Sequence, residues 1–204
     1  MSNNITIDPT RAKCELQFDH NHENEADQLQ NITANNARFG VHVGATIVAK
    51  SWSDPEFAQR LRDNATEAIK SIGYHVPTSH SDGSEELVTV ENTDQVHNLV
   101  VCVMCSCYPK SILGLPPNWY KSESYRHRAV TEPRELLKEF ELNVNDKTVQ
   151  VWDSIAERRY MVIPQRPKNT EHLTEHQLAE LVTRDSLIGT EILTYNCADA
   201  GIHC

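Results

Sequence analysis

Cys102, Cys105 and Cys107 crowd the stretch Val101-Cys102-Val103-Met104-Cys105-Ser106-Cys107, placing thiols at i, i+3 and i+5. Thiolates are soft donors, and a turn carrying three of them can converge on one metal ion. A structural zinc site wants four donors, usually as two paired knuckles, and no second knuckle follows here. His127 or a distant cysteine would have to complete it, and an iron–sulfur cluster meets the same shortage. The spacing suggests another field. A single residue separates Cys105 from Cys107, so a metal held by both sulfurs lies close to the amides of Ser106 and Cys107. Deprotonated, those amides are strong equatorial donors, and together with the sulfurs they leave one octahedral position open. Such a field suits a trivalent, low-spin transition metal, and the open position is where water or a substrate binds. Exposed, metal-activated sulfurs, as these are expected to be, are also candidates for oxidation to sulfenic and sulfinic states.

The other cysteines, Cys14, Cys197 and Cys204, lie near the ends of the sequence and read as incidental thiols. A disulfide framework spreads its cysteines so that each bridge closes a sizeable loop, so the cluster fits a reducing compartment. The 204 residues carry 29 acidic and 19 basic side chains, a net charge of −10 that opposes binding to nucleic acid. No apolar run approaches the roughly 20 residues that span a bilayer, and the polar stretch Met1 to Thr10 lacks the regions of a signal peptide. The expectation is a soluble, cytoplasmic protein in which the Asn-x-Thr sequons at Asn4, Asn31 and Asn64 stay unmodified. The histidines form no ligand pair at helical spacing, no glycine-rich phosphate loop appears, and no G-x-S-x-G elbow supports a serine nucleophile. Small-molecule chemistry or a protein partner remains.

The elements that must position the cluster follow from pattern. Residues 1–40 are polar and too poor in apolar side chains for a core face, and read as an arm; within it, His20 and His22 fit a solvated tail. Val43, Ile47, Val48 and Trp52 form an apolar segment. Asp54-Pro55-Glu56 then reads as N-cap, N1 proline and acidic first turn. Phe57, Leu61, Ala65, Ala68, Ile69 and Ile72 predict one helix stopped by Gly73. Residues 74–86 read as a loop. Leu87–Val90 and Leu99–Val101 predict strands on either side of the turn-prone Asn92-Thr93-Asp94, with the cysteine cluster where the second strand ends. Pro109 and Gly114-Leu115-Pro116-Pro117 exclude a long regular element just after it. Glu132-Pro133 opens a short helix through Phe140, and Val149–Trp152 and Tyr160–Ile163 predict two more strands. Thr174, with Gln177 in a capping box, starts a last helix that ends near Gly189. Mixed helices and strands without a strict βαβ rhythm indicate an α+β fold.

The stretch Val101 to Pro109, followed by Ile112-Leu113-Gly114-Leu115-Pro116-Pro117-Asn118-Trp119-Tyr120-Lys121-Ser122, strongly resembles the metal-binding α subunit of nitrile hydratases. The resemblance continues through Tyr125-Arg126, Arg128, Glu132-Pro133-Arg134, Val151-Trp152-Asp153-Ser154, Arg159-Tyr160-Met161-Val162, Pro164-Gln165-Arg166-Pro167 and Val182-Thr183-Arg184-Asp185, and covers roughly Val43 to Gly189. It implies a layered α-β-β-α metal-binding catalytic domain over residues 41–190, with an extended or helical N-terminal arm and a tail from 191 to 204. It implies non-corrin cobalt(III), or alternatively iron(III), held by Cys102, Cys105 and Cys107 and by the amides of Ser106 and Cys107. By the same match Cys105 becomes a sulfinic acid and Cys107 a sulfenic acid, the two being the catalytic sulfurs. A β-type subunit covers the site in a hetero-oligomer and contributes arginines to the oxidised sulfurs. The implied reaction adds water to the carbon–nitrogen triple bond of a nitrile, with the Cys107 sulfenate or a water it activates attacking carbon.

Departures from the family pattern carry information. The residue after the first cysteine, usually Thr with cobalt and Ser with iron, is Val103 here, whereas Tyr108-Pro109 resembles the cobalt branch. Many members have Trp where this chain has Lys110. Thiocyanate hydrolases, relatives built from three kinds of subunit, place a basic residue there, and a cation suits an anionic or polar substrate. The bland alternative is a solvated Lys110, or one paired with an acid of the partner. The loop Ser81 to Glu86 lacks the Gln-Gly that usually precedes the strand. The rival readings are therefore the metal-bearing subunit of a thiocyanate hydrolase, yielding carbonyl sulfide and ammonia, and a non-catalytic zinc-binding scaffold subunit. Asp153, Glu157, Arg158 and Arg159 fall between two predicted strands, where a solvated turn is expected. The resemblance makes Arg159 a candidate brace for the partner interface. Trp119 and Tyr120 read as packing residues beside the site.

Overall fold

The structure, a computed structural model, describes residues 43–74, 86–102 and 107–196. The N-terminal arm with His20 and His22, most of the loop after Tyr74, and Cys105 and Ser106 lie outside the described residues.

Helix α1 (Val43–Ser53) buries Val43, Ile47 and Val48 together with Gly44, Ala45 and Ala49. It packs against α7 (Glu175–Leu181). Asp54 caps α2 (Pro55–Asp63) as expected, its Oδ1 accepting from the Phe57 amide at 2.9 Å with proline in the first helical position. The single helix predicted as far as Ile72 is two, because Asn64 is extended at φ −156°, ψ 92°. Its amide donates back to the Arg60 carbonyl while its side chain accepts from the Glu67 amide at 3.0 Å, opening α3 (Ala65–Ser71). Asparagine competes with helical backbone bonding in this way, and apolar spacing continues undisturbed across the break. Gly73, at φ +86°, ends α3 by donating to the Lys70 carbonyl, as its position predicted.

The strands are β1 (Glu86–Glu91), β2 (Val96–Cys102), β3 (Thr148–Ser154) and β4 (Arg158–Ile163). β1 pairs with β4 and β2 with β3, each ladder two-stranded and parallel. The turn between β1 and β2 thus makes no hairpin; it passes the chain from one ladder to the other. Asn92 Oδ1 fixes that crossing by accepting from the Asn98 amide at 2.7 Å. Val88, Val90, Val100, Trp152, Tyr160 and Val162 form one apolar cluster contributed by all four strands. A larger cluster joins strand side chains to the helices. α2 and α3 contact β1, while α5 (Glu123–Thr131) contacts β2 and α6 (Pro133–Glu139) contacts β3.

Only a four-residue helix, α4 (Lys110–Leu113), follows the cysteine loop, and a 3₁₀ turn spans Asn118–Lys121. α5 was not evident in the sequence: it buries only Tyr125 and Ala129, so it lacks a broad apolar face. α7 has the predicted capping box but ends at Leu181. Val182 turns extended, and the Thr183 hydroxyl accepts from the Ser186 amide at 3.1 Å, starting a separate 3₁₀ turn (Ser186–Ile188) that Gly189 terminates at φ +85°. Among the described residues no helix is long and apolar enough to cross a membrane.

Candidate metal centre

β2 delivers Cys102 as its last residue, 3% exposed and in register with Ser154 of β3. Cys107 is also in the core, 1% exposed, and leads through Tyr108 into α4 (Lys110–Leu113). The cluster begins where β2 ends, as expected, but Cys102 and Cys107 lie in the protein interior rather than exposed, because the strand end and the residues leading into α4 are both packed into the core.

A wall of aromatic rings backs them. Tyr108 and Tyr120 meet edge to face at 5.2 Å, Trp119 and Tyr125 at 4.8 Å, and Tyr120 lies 5.6 Å from Tyr125. Burial pushes the Tyr120 hydroxyl far above its ordinary range, and the Cys102 thiol adds to the effect, so Tyr120 is a neutral neighbour of that sulfur. Burial likewise raises Tyr125, whose hydroxyl donates to the Val100 carbonyl at 3.4 Å. Trp119 and Tyr120 are packing residues, as their composition suggested.

Behind Cys102, Arg126 donates twice to Asp153 Oδ2, from Nε at 3.2 Å and Nη2 at 2.8 Å. The Asp153 side chain is only 6% exposed. The solvated turn expected around Asp153 to Arg159 is thus confined to the residues between β3 and β4. Asp153 lies in β3, whereas Arg158 and Arg159 open β4. Arg158 Nε donates to Glu86 Oε2 at 2.8 Å, and Arg159, in register with Leu87, is 9% exposed. The charges obscured a continuing strand that parallel pairing sustains. Lys110 is half-buried at the first position of α4, its amide donating to the Tyr108 carbonyl at 2.8 Å.

The donor chemistry fits a soft-ligand transition metal. The loop between Cys102 and Cys107 contains the third thiol and the Ser106 amide, and its two ends are buried among rings, where thiolates need a compensating cation. Tyr108, the residue after Cys107, has a buried hydroxyl without a hydrogen-bond partner among the described residues.

A separate cleft of about 320 Å³ opens between His97, Lys147, Arg166 and Tyr195. His97 precedes Cys102 by five residues of β2, so roughly 16 Å of strand separates this cleft from the cysteine loop. Its polar groups are engaged internally: Arg166 donates to Thr170 and to the Trp52 carbonyl, and Lys147 to the Thr93 carbonyl. The buried His97 ring, whose Nε2 donates to the Gly189 carbonyl at 2.8 Å, was not singled out by the sequence. Nor was the Arg126–Asp153 pair, whose partners stand 27 residues apart without a local pattern.

Mixed helices and parallel ladders carrying buried cysteines at the end of a strand define an α+β protein built around a thiol-bearing loop. The chain belongs to the nitrile hydratase α-chain family, whose model matches residues 11–191. It is 52% identical over 169 residues to the low-molecular-weight cobalt-containing nitrile hydratase α subunit of Rhodococcus rhodochrous, covering 82% of this chain and 78% of that one. The thiocyanate hydrolase γ subunit of Thiobacillus thioparus is 41% identical over 155 residues, covering 72% and 64%. Among solved structures, a double mutant of the Fe-type nitrile hydratase of Comamonas testosteroni Ni1 superposes with a TM-score of 0.68 at 41% identity, covering 74% of this chain and 72% of that chain. The family resemblance carried by the cysteine stretch together with the ordered motifs through Val182-Thr183-Arg184-Asp185 is therefore borne out.

Proposed function

We propose that this chain is the metal-bearing catalytic subunit of a nitrile hydratase that converts a nitrile to its amide. The observation that carries the reading is the burial of Cys102 and Cys107 at the two ends of a loop holding Cys105 and Ser106. The three sulfurs and the amides of Ser106 and Cys107 would hold low-spin cobalt(III), with iron(III) as the alternative; cobalt is favoured by Tyr108-Pro109 and by the cobalt-containing relative. Bound there, the ion supplies Lewis acidity towards a nitrile nitrogen. Cys105 is a sulfinic acid and Cys107 a sulfenic acid in the active protein. A water that the Cys107 sulfenate orients and deprotonates would add to the nitrile carbon, the proton passing to the nitrile nitrogen and the imidic acid tautomerising to the amide. Where the sulfenate oxygen itself attacks, a water then breaks the S–O bond of the covalent adduct, releasing the imidic acid and restoring the sulfenate. Tyr108, Tyr120 and Tyr125 exclude water from the far side of the sulfurs, and Lys110 faces the substrate as a polar or cationic contact.

The domain spans residues 41–190 between a polar arm and a C-terminal tail. The contacts of α2 and α3 with β1, and of α5 with β2, support an α-β-β-α layering. A β-type subunit completes the pocket in a cytoplasmic hetero-oligomer, and Arg159 braces that interface. The thiocyanate hydrolase reading keeps the basic Lys110 and the related γ subunit in its favour, whereas Leu115-Pro116-Pro117 and Gln165-Arg166-Pro167 resemble nitrile hydratases.

Co-purification with the neighbouring subunits, metal analysis and intact mass, followed by assays on nitriles and thiocyanate, tests the proposal. Expected are one cobalt per α subunit, oxygen added to Cys105 and Cys107, and amide formation. One zinc with unoxidised cysteines would overturn it, and turnover of thiocyanate alone would transfer the site to the hydrolase.

A further inference from the structure

The segment from Thr183 to Thr190 takes no part in the reaction above, yet it links β2 to the residues after the cysteine loop. One end is pressed onto β2: a Cβ on Gly189 would stand 1.9 Å from the Asn98 carbonyl oxygen, and the Gly189 carbonyl accepts from His97 Nε2 at 2.8 Å. The middle is stitched to itself. Ser186 Oγ donates to the Thr183 carbonyl at 2.7 Å, the Thr190 amide donates to the Asp185 carbonyl at 2.9 Å, and Leu187 and Ile188 are fully buried. At the other end Arg184 Nε donates to Asp185 Oδ1 at 2.8 Å, and Arg184 Nη1 donates to the Leu115 carbonyl at 3.2 Å. Leu115 follows Gly114, which closes α4 at φ +77°, and its side chain is half exposed. The charges of Arg184 and Asp185 also reach the buried Tyr108 hydroxyl, which burial raises above its ordinary range.

We propose that Arg184 is a positioning residue that ties the Lys110–Leu115 turn to the buried Thr183–Thr190 segment and so fixes Lys110 relative to the cysteine loop. The role in turnover rests on the function proposed above; the tether itself does not. Only a forked guanidinium can serve Asp185 and the Leu115 carbonyl together, because a lysine ammonium is a single point of donation on a flexible stem. The rest of the segment stays anchored without it, so loss of Arg184 loosens the turn and leaves β2 in place.

The test uses the intact hetero-oligomer carrying Arg184→Ala or Arg184→Lys. Removing one charge-assisted tether should raise KM roughly three- to tenfold in the alanine variant, with kcat within about twofold and unchanged metal content, and lysine should fall between. Amide exchange over 110–117 should quicken by a similar factor while β2 and Ser186–Ile188 keep their protection. Unchanged exchange over 110–117 would overturn the proposal. So would exchange rising across the whole domain, or loss of metal, either of which would make Arg184 a general stabiliser or a prop of the cysteine loop. An oligomer that turns over neither nitriles nor thiocyanate refutes the function reading alone, and exchange still decides the tether.

Discussion

Replacing Gly189 with alanine should be among the costliest single methyl additions in this protein, and Gly73 provides the control. Both glycines have left-handed backbones, φ +85° and +86°. At Gly73 a Cβ meets nothing within 4 Å, so Gly73→Ala carries only the conformational penalty of about 1–2 kcal/mol, partly offset by the stiffer unfolded chain. At Gly189 the same carbon would lie 1.9 Å from the Asn98 carbonyl oxygen and 3.0 Å from the Leu99 Cα. Both are backbone atoms of β2, which cannot rotate away. The turn must retreat by about 1.5 Å to restore ordinary contact. Retreat stretches the 2.8 Å bond from His97 Nε2 to the Gly189 carbonyl. A buried donor left unpaired costs about 1–3 kcal/mol, and the strain of overpacking a further 1–3 kcal/mol. Gly189→Ala should therefore be destabilised by roughly 2–6 kcal/mol more than Gly73→Ala. Urea unfolding monitored by circular dichroism would read this as a lower midpoint at constant m-value, and thermal unfolding as an additional fall of roughly 4–24 °C. Equal destabilisation of the two variants, within about 0.5 kcal/mol, would refute the argument that the close approach to β2, rather than φ alone, requires glycine at 189.

Four further outcomes follow from the same geometry. Burial, opposed by the bond to the Gly189 carbonyl and aided by the Lys147 charge, lowers the His97 pKa from its ordinary 6.5. The unfolded chain then takes up that proton first, so stability falls as pH drops from about 6.5 towards the folded pKa; His97→Gln should flatten the pH dependence of the urea midpoint in that window. Arg126→Leu leaves the Asp153 carboxylate, 6% exposed, without its guanidinium and should cost about 2–4 kcal/mol in chemical denaturation, whereas a loss below 0.5 kcal/mol would show that the pair contributes nothing. Cys107→Ala should abolish amide formation even in preparations that retain metal, and retained turnover would remove this sulfur from the mechanism. Lys110→Trp should shift the ratio of kcat/KM towards apolar nitriles; an unchanged substrate profile would show that Lys110 is solvated or paired elsewhere.

The proposed donors were legible along the chain because they are close in sequence. Cys102, Cys105, Ser106 and Cys107 need no fold to bring them together in sequence, and the spacing of Cys105 and Cys107 would bring the intervening amides near a metal held by both sulfurs. The strands, the Asp54 cap, the Thr174 capping box and the stop at Gly73 are likewise local decisions of side-chain shape and backbone bonding. Capping and tertiary structure decided what apolar pattern leaves degenerate. Apolar spacing runs unbroken through Asn64, yet its side chain bonds the following turn and splits one helix into two. The β1–β2 turn resembles that of a hairpin, yet both strands find parallel partners far along the chain, which bury their faces against one another. Asp153 looked solvated until β3 met Arg126 of α5, and Gly189 looked like a simple helix stop until it met Asn98. Apart from the Asn64 cap, which reaches only three residues ahead, these are contacts between residues far apart in sequence, and no periodicity of one segment records them.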